Sequence, residues 1–373
     1  MNIGKKQIAL FIVCIITYTS FAQNYISWDE VATKKFGKEI IYSLKADKSS
    51  LNGNYKISEK SGAYADITFK NGKIDGSYVS YDFEGNKEGE ANYKEGKIEG
   101  KQISYFQNGD VQEETFYING LKDGTWKIFN KKGEQIATEH YKNDKKDGKW
   151  VNKVKNLDEN ITLIRTEYYN EGKAIGTWEE RIVGGNVRSE KKHSTPTDYV
   201  EKVYFPNGKL SKEIQVKDHR KNGISSFFNA EGLLQHKINY ENDNVVYQEK
   251  YFENGGLKSK TSFKYGKVNG PFEEYNEDGI KIIEGTRKET YKEGIWKIYE
   301  GRKGRLSSAI MYTNGKPNGS AKFYDHSSKT ITREGQYLHG KQHGVWKHYD
   351  PSGELTKEVA YDKGRQISEK KYN

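Results

Sequence analysis

The residues best suited to chemistry are His339, His343 and His348 in the stretch HGKQHGVWKH. Imidazoles this close are raw material for a metal site, which needs converging ligands and acceptors that orient them. His339 and His343 flank one turn, but no Cys, Asp or Glu stands beside them until Asp350, so they read as solvated turn residues. Three carboxylate pairs, Glu113–Glu114, Glu179–Glu180 and Glu273–Glu274, suggest acid–base work. Adjacent residues on a strand point to opposite faces, however, which is the wrong geometry for a shared proton. Ser and Asp recur in turn-like contexts throughout, so no Ser-His-Asp order stands out. The repeated G-x-x-x-G lacks both GK[ST] and a strand–loop–helix setting, so it is no phosphate loop. The sequence predicts a chain that is not an enzyme, with no catalytic residue, no metal site and no cofactor.

Two other sets of residues could bind a partner. Trp126, Trp150, Trp178, Trp296 and Trp346 all occupy one slot of a repeating frame, and Tyr299 and Tyr349 a second slot three residues later. Aromatics in phase across strands are expected to pack a thin sheet, and the same residue types are enriched at protein interfaces. The second set is Arg302, Lys303, Arg305, Arg365, Lys370 and Lys371, interleaved with aromatics. Residues 24–280 carry 41 basic and 41 acidic side chains, whereas residues 281–373 carry 19 and 11. The basic excess of the last quarter suits an anionic lipid or glycan.

The frame that positions both sets is a repeat. Two glycines stand four apart, an aromatic follows two residues past the second, another five past, and a glycine closes at nine past, as in GLKDGTWKIFNKKG (Gly120 to Gly133). The second glycine recurs at Gly76, Gly100, Gly124, Gly148, Gly176, Gly223, Gly270, Gly294, Gly319 and Gly344, with weaker copies at Gly53, Tyr199 and Val246. Spacings of 23 to 28 residues over nearly the whole chain define a repeat architecture. Within a copy, GTWKIF reads as a strand, NKKG as a turn and the alternating run that follows as a second strand. Two short strands leave no room for a crossover helix, so the pairing must be antiparallel. The fold class expected is all-β: an elongated, twisted antiparallel sheet of tandem hairpins, about 13 in number at roughly 24 residues each. Gly76, Gly100, Gly124, Gly270 and Gly344 are read as turn glycines, where positive φ costs nothing.

Five segments follow. Residues 1–22 read as a signal peptide: Lys5 and Lys6, an apolar run from Gln7 to Tyr18, and Ser20-Phe21-Ala22 before a cut after Ala22. The chain is therefore expected to be exported, to the periplasm or outside the cell. The apolar run is short for a bilayer span, so no transmembrane span is expected in the mature chain. The only cysteine, Cys14, lies in that segment, leaving no disulfide. Residues 23–52 form an N-terminal cap: SWDEVATKKFG has capping-box spacing at Ser27 and Glu30 and Gly37 at its end, predicting a short helix, with a strand at EIIYSL. Residues 53–361 are the array, irregular at 151–198, where loops or a bend are expected. Residues 362–373 are an end segment. Mean hydropathy is −0.98, yet 13% of residues are aromatic and recur in phase, which excludes disorder.

The frame Y-x-x-G-K-x-x-G-x-W-x-x-Y-x-x-x-G resembles the MORN-repeat superfamily, and more closely the bacterial MORN-variant repeats of proteins labelled YwqK-type antitoxins. Tyr93, Gly96, Lys97, Gly100, Tyr105 and Gly109 carry it, as do Tyr337, Gly340, Lys341, Gly344, Trp346, Tyr349 and Gly353. The resemblance implies a sheet of hairpins used as a binding or scaffolding surface, without an enzyme activity. The function expected is an exported scaffold that binds another protein, in the manner of an antitoxin neutralising its target. The alternative is docking on anionic lipid or glycan through the basic end. Nucleic acid is not expected as a partner.

Overall fold

A computed structural model describes residues 23–372. The expected signal peptide, residues 1–22 with Cys14, lies outside them. The chain divides into two compact units, Met1–Asp147 and Gly148–Asn373. In the first, strands run in chain order and antiparallel from Gly53–Ser58 to Gln135–Lys142. The exception is Asn24–Ser27, which lies parallel to Gly53–Ser58. In the second unit, successive antiparallel strands run from Gly148–Asn156 to Arg365–Lys371.

The expected N-terminal capping helix is absent. The capping box does form: Ser27 accepts the Asp29 N–H at 3.2 Å and Glu30 accepts the Ser27 N–H at 2.9 Å. It closes only one 3-10 turn, Trp28–Glu30. Beyond it, Val31–Phe36 is extended and pairs with Glu39–Leu44, and Gly37, at φ +61°, turns that hairpin instead of ending a helix. The reason is burial. As a strand, the segment places Val31 among Leu51, Tyr55, Ile57, Ala65, Ile67, Phe69 and Ile74, all buried. The cap is thus a β-hairpin, and Tyr42 on it meets Phe69 edge-on at 5.3 Å.

Two kinds of turn alternate. Between repeats, paired positive φ angles such as Asn119 at 52° and Gly120 at 77° mark two-residue primed turns, which match the twist of hairpin strands. Most such turns reach back one repeat: the Gly340 N–H donates to the Pro317 carbonyl at 2.7 Å and the Gly364 N–H to the Gln342 carbonyl at 2.8 Å. Within a repeat, the Asn130 N–H donates to the Glu134 carbonyl at 3.0 Å and the Gly133 N–H to the Asn130 carbonyl at 2.9 Å.

The anchor glycines sit in neither turn. Gly344 lies inside the strand Lys341–Tyr349, where register jumps from Gln336–His343 to Glu334–Lys347. Three residues, 344–346, therefore oppose the single residue Gly335. The same three-against-one bulge surrounds Gly76, Gly100 and Gly270, and Gly124 opens the second arm of a strand broken at the same place. Positive φ at these positions, 72° at Gly344 and 125° at Gly76, lets the strand bend there. At the weak copy Tyr199 the register runs unbroken, and at Val246 it shifts by a single extra residue.

The irregular stretch 151–198 is itself hairpin. Its insertion lengthens the strands Gly148–Asn156 and Ile161–Asn170, which pair without interruption. Residues 184–198 supply the turns on either side of Val187–His193.

Candidate functional site

Strand alternation and the bulge sort the repeat slots onto two faces. Along Lys341–Tyr349, Trp346 and His348 share one face, and Val345, Lys347 and Tyr349 the other. The two aromatic slots are thus on opposite faces, and the aromatic set does not come together as one surface.

On the first face the tryptophans are packing residues. Trp126, Trp150, Trp296 and Trp346 are buried, and Trp178 is half-buried. Each indole lies beside aromatics of neighbouring strands, as Trp126 does with Tyr117 at 5.7 Å and Tyr141 at 4.9 Å. The indole N–H of Trp178, Trp296 and Trp346 donates to the carbonyls of Tyr168, Thr286 and Gln336 at 3.0 to 3.1 Å. Gly285 and Gly335 lie directly beneath Trp296 and Trp346, where any Cβ would run into the ring. Lysines cover some of these pairs: Lys122 Nζ stands 3.9 Å from the Trp126 ring centre, and Lys292 Nζ 4.6 Å from that of Trp296. Burial of Lys292 holds its ammonium below the usual lysine range.

The second face is polar and open. Lys322, Glu334, Lys347, Glu358 and Lys370 stand opposite one another on five consecutive strands, alternating in charge. Lys237, Glu249, Lys260 and Glu273 repeat the pattern. The second aromatic slot feeds this row: the Tyr299 hydroxyl donates to Glu284 at 2.7 Å and the Tyr349 hydroxyl to Glu334 at 2.8 Å. Hydrogen bonds from Lys297 and then Tyr299 hold the Glu284 carboxyl down to about 2. Burial, with Glu284 beside it, pushes Tyr299 up to about 12, so the phenol stays a donor. Next to the charged row, Ile224, Ile295 and Val345, each one residue past an anchor glycine, are 42%, 55% and 51% exposed.

The basic residues do not gather. Arg302 and Lys303 are exposed on the turn that follows Tyr291–Glu300, and Arg305 donates to the carbonyls of His326 and Ser327 on the neighbouring turn. Arg365 begins the strand that carries Lys370 and Lys371 at its other end, roughly 20 Å away at the strand rise of about 3.3 Å per residue. Lys370 lies over the Tyr372 ring at 4.6 Å, and Lys371 lies 3.7 Å from Glu369.

The histidines and carboxylate pairs also separate. His343 lies 3.5 Å from Asp362, while His348 stands opposite Arg333 and Lys357. Among the described residues no His, Cys, Asp and Glu cluster could hold a metal ion. Glu180 pairs with Arg165 at 2.7 Å and Glu179 with Arg181 at 2.8 Å. No helix among the described residues is long and apolar enough to cross a membrane. Sequence reasoning missed the lysine covers and the tyrosine–glutamate bonds. The former had a signal, since Lys122 and Lys292 both stand four residues before a tryptophan.

Three segments, residues 98–119, 200–218 and 342–363, match the family model described as MORN repeat variant. MORN repeats are non-enzymatic interaction modules for proteins or membrane lipids. No curated protein matches the chain. Among solved structures, a Tc holotoxin pore of Photorhabdus luminescens is similar over 85% of this chain and 22% of its own, at 12% identity and a TM-score of 0.19. Two crystal structures of TcdB2–TccC3, one of them lacking the hypervariable C-terminal region, align with 85% and 90% of the chain at 13% identity, with TM-scores of 0.18 and 0.17. The chain spans about a fifth of the length of these proteins.

Proposed function

We propose that the chain is an exported, non-enzymatic repeat scaffold that binds another protein through the face opposite its tryptophans, neutralising it as an antitoxin would. The observation that carries this reading is the contrast between faces. One is filled by indoles and their covers. The other presents Ile224, Ile295 and Val345 to solvent beside a row of alternating charges. Exposed apolar side chains set among charges that fix register have the make-up of an interface: apolar contact supplies affinity and charge complementarity supplies specificity. Residues 1–22 supply the case for export.

The test is crosslinked capture from envelope extract with the mature chain, compared with the Ile295→Ser, Val345→Ser double variant. One discrete protein retained at high salt and lost from the double variant is the expected result. Retention unchanged by the substitutions contradicts the assignment of this face. A second reading, docking on anionic lipid or glycan, is favoured by the exposed turn of Arg302 and Lys303. It predicts salt-sensitive retention on anionic vesicles or glycan that disappears on reversing those two charges. Retention indifferent to both excludes it.

A further inference from the structure

The repeat at Trp178 departs from that at Trp126 at two positions, Ala174 and His193. Around Trp126, Tyr117 and Tyr141 flank the indole, and Lys122, opposite Tyr117 in the register, covers the pair with Nζ 3.9 Å from Trp126 and 5.0 Å from Tyr141. Around Trp178, Tyr169 and His193 flank the indole, and the residue opposite Tyr169 is Ala174. The ring geometry is conserved between the two sites: centroids 4.9 Å apart at 50° for Trp126–Tyr141, and 4.8 Å at 51° for Trp178–His193. Only the lysine is missing. Trp178 is also the one tryptophan of this slot that stays half-buried, as expected where the cover is cut back to a methyl group.

The surroundings suit a positive charge. A hollow against Trp178 is lined by Arg165, Glu167, Glu180, Lys191 and Glu201. Arg165 is engaged by Glu180 at 2.7 Å, and Lys191 lies 5.3 Å from the Tyr199 ring centre and 3.8 Å from Glu201. Glu167 remains, accepting the Tyr169 hydroxyl at 2.7 Å with no ion pair among the described residues. His193 adds a second sign: both its ring nitrogens are buried without a well-formed hydrogen bond, the Thr195 backbone being the polar group beside them. Desolvation holds the imidazole below the usual histidine range, which favours an uncharged ring beside the indole.

We propose that Trp178, His193 and Glu167 form a binding site for an alkylammonium group, supplied by a lysine side chain or a quaternary amine outside this chain, which takes the place Lys122 fills at Trp126. The indole face supplies cation–π attraction and Glu167 the counter-charge. The site lies on the tryptophan face and does not depend on the interaction surface proposed above.

The test follows indole N–H resonances of the full mature chain during titration with N-acetyl-lysine methylamide, choline and the neutral N-acetyl-Nε-acetyl-lysine methylamide. A saturable shift of the Trp178 signal with either cation, and none with the neutral probe, is expected. A response to the lysine probe alone assigns the source to a lysine side chain that donates to Glu167, and a stronger response to choline assigns it to a quaternary amine. In Ala174→Lys the chain fills its own site and affinity should fall on the order of ten-fold. Lys122→Ala should open the Trp126 pair and create a second responding indole. Equal shifts with the neutral probe, no saturable shift, or unchanged binding by a folded Ala174→Lys protein would overturn the proposal.

Discussion

The N-terminal end of the first unit and the last repeats of the second use one frame but are held together differently. Between Leu51 and Ile74 the sheet is covered by a hairpin, and eight buried residues form a contiguous core, with Leu51 and Ile57 at 0% exposure. Between Lys281 and Tyr361 no such cluster exists among the described residues. Burial falls on single positions of successive strands, Trp296, Ser308, Ala321, Trp346 and Val359, and partly buried rings such as Phe323 and Tyr337 pack against the indole between them. Two layers share a core that every strand depends on. One layer is held repeat by repeat, so its stability is close to a sum of neighbouring interfaces. The comparison teaches that the large tryptophan is how a repeat without a second layer obtains an interior.

Five substitutions test that contrast. Trp346→Ala should have the largest effect, about 3–5 kcal/mol of local stability, because nothing collapses into the space the indole leaves. Proteolysis confined to residues near 331–361 would show it, and loss of the whole chain at once would break the contrast. Ile67→Ala should cost about 2–5 kcal/mol but loosen the core of the first unit together, seen as one shifted unfolding transition for that unit. Glycine supplies a finer comparison. Gly335→Ala drives a methyl group into the Trp346 ring, whereas Gly344→Ala meets nothing within 4 Å and is penalised only by its φ of +72°. The first should cost about 1–3 kcal/mol and the second about 1, by denaturant midpoint. Equal costs would mean that the indole does not rest on Gly335.

Glu284→Gln should be the smallest, below about 1 kcal/mol, since glutamine keeps an acceptor for the Tyr299 hydroxyl and the ion pairs with Lys281 and Lys297 stay partly open to solvent. Its sign with pH is fixed. The carboxyl is held below its ordinary value, so its contribution is complete above about 4.3 and fades as pH falls toward about 2. The variant should therefore differ from the parent in thermal midpoint at pH 6 and converge with it in strong acid. A difference that grows in acid would contradict the assignment.

Much of the fold was legible in the sequence because its signals are periodic. The hairpins, their antiparallel pairing and the turn at Asn130–Gly133 follow from spacing, whereas the aromatic set was read as one surface although strand alternation puts Trp346 and Tyr349 on opposite faces. The cap was misread because the Ser27–Glu30 box reports only the first turn. What becomes of Val31–Phe36 depends on Leu51 and Ile67, which local rules do not see. The anchor glycines were placed in turns because a turn and a bulge both ask for positive φ, and only the register around Gly335 distinguishes them. The basic set looked like one patch because Arg302 and Arg365 share a composition. The structure puts Arg302 on a turn and Arg365 at the start of the strand Arg365–Lys371. The Trp178 site was the least legible: it lies in two departures from the frame, Ala174 and His193, and a period draws the eye to what repeats.

The most direct test of repeat-by-repeat cohesion is amide hydrogen exchange, followed by mass spectrometry, on residues 23–373 and on the Trp346→Ala variant. The account predicts faster exchange in residues flanking 346 on the two neighbouring strands, with protection between Leu51 and Ile74 unchanged. Acceleration spread evenly over the chain would contradict it.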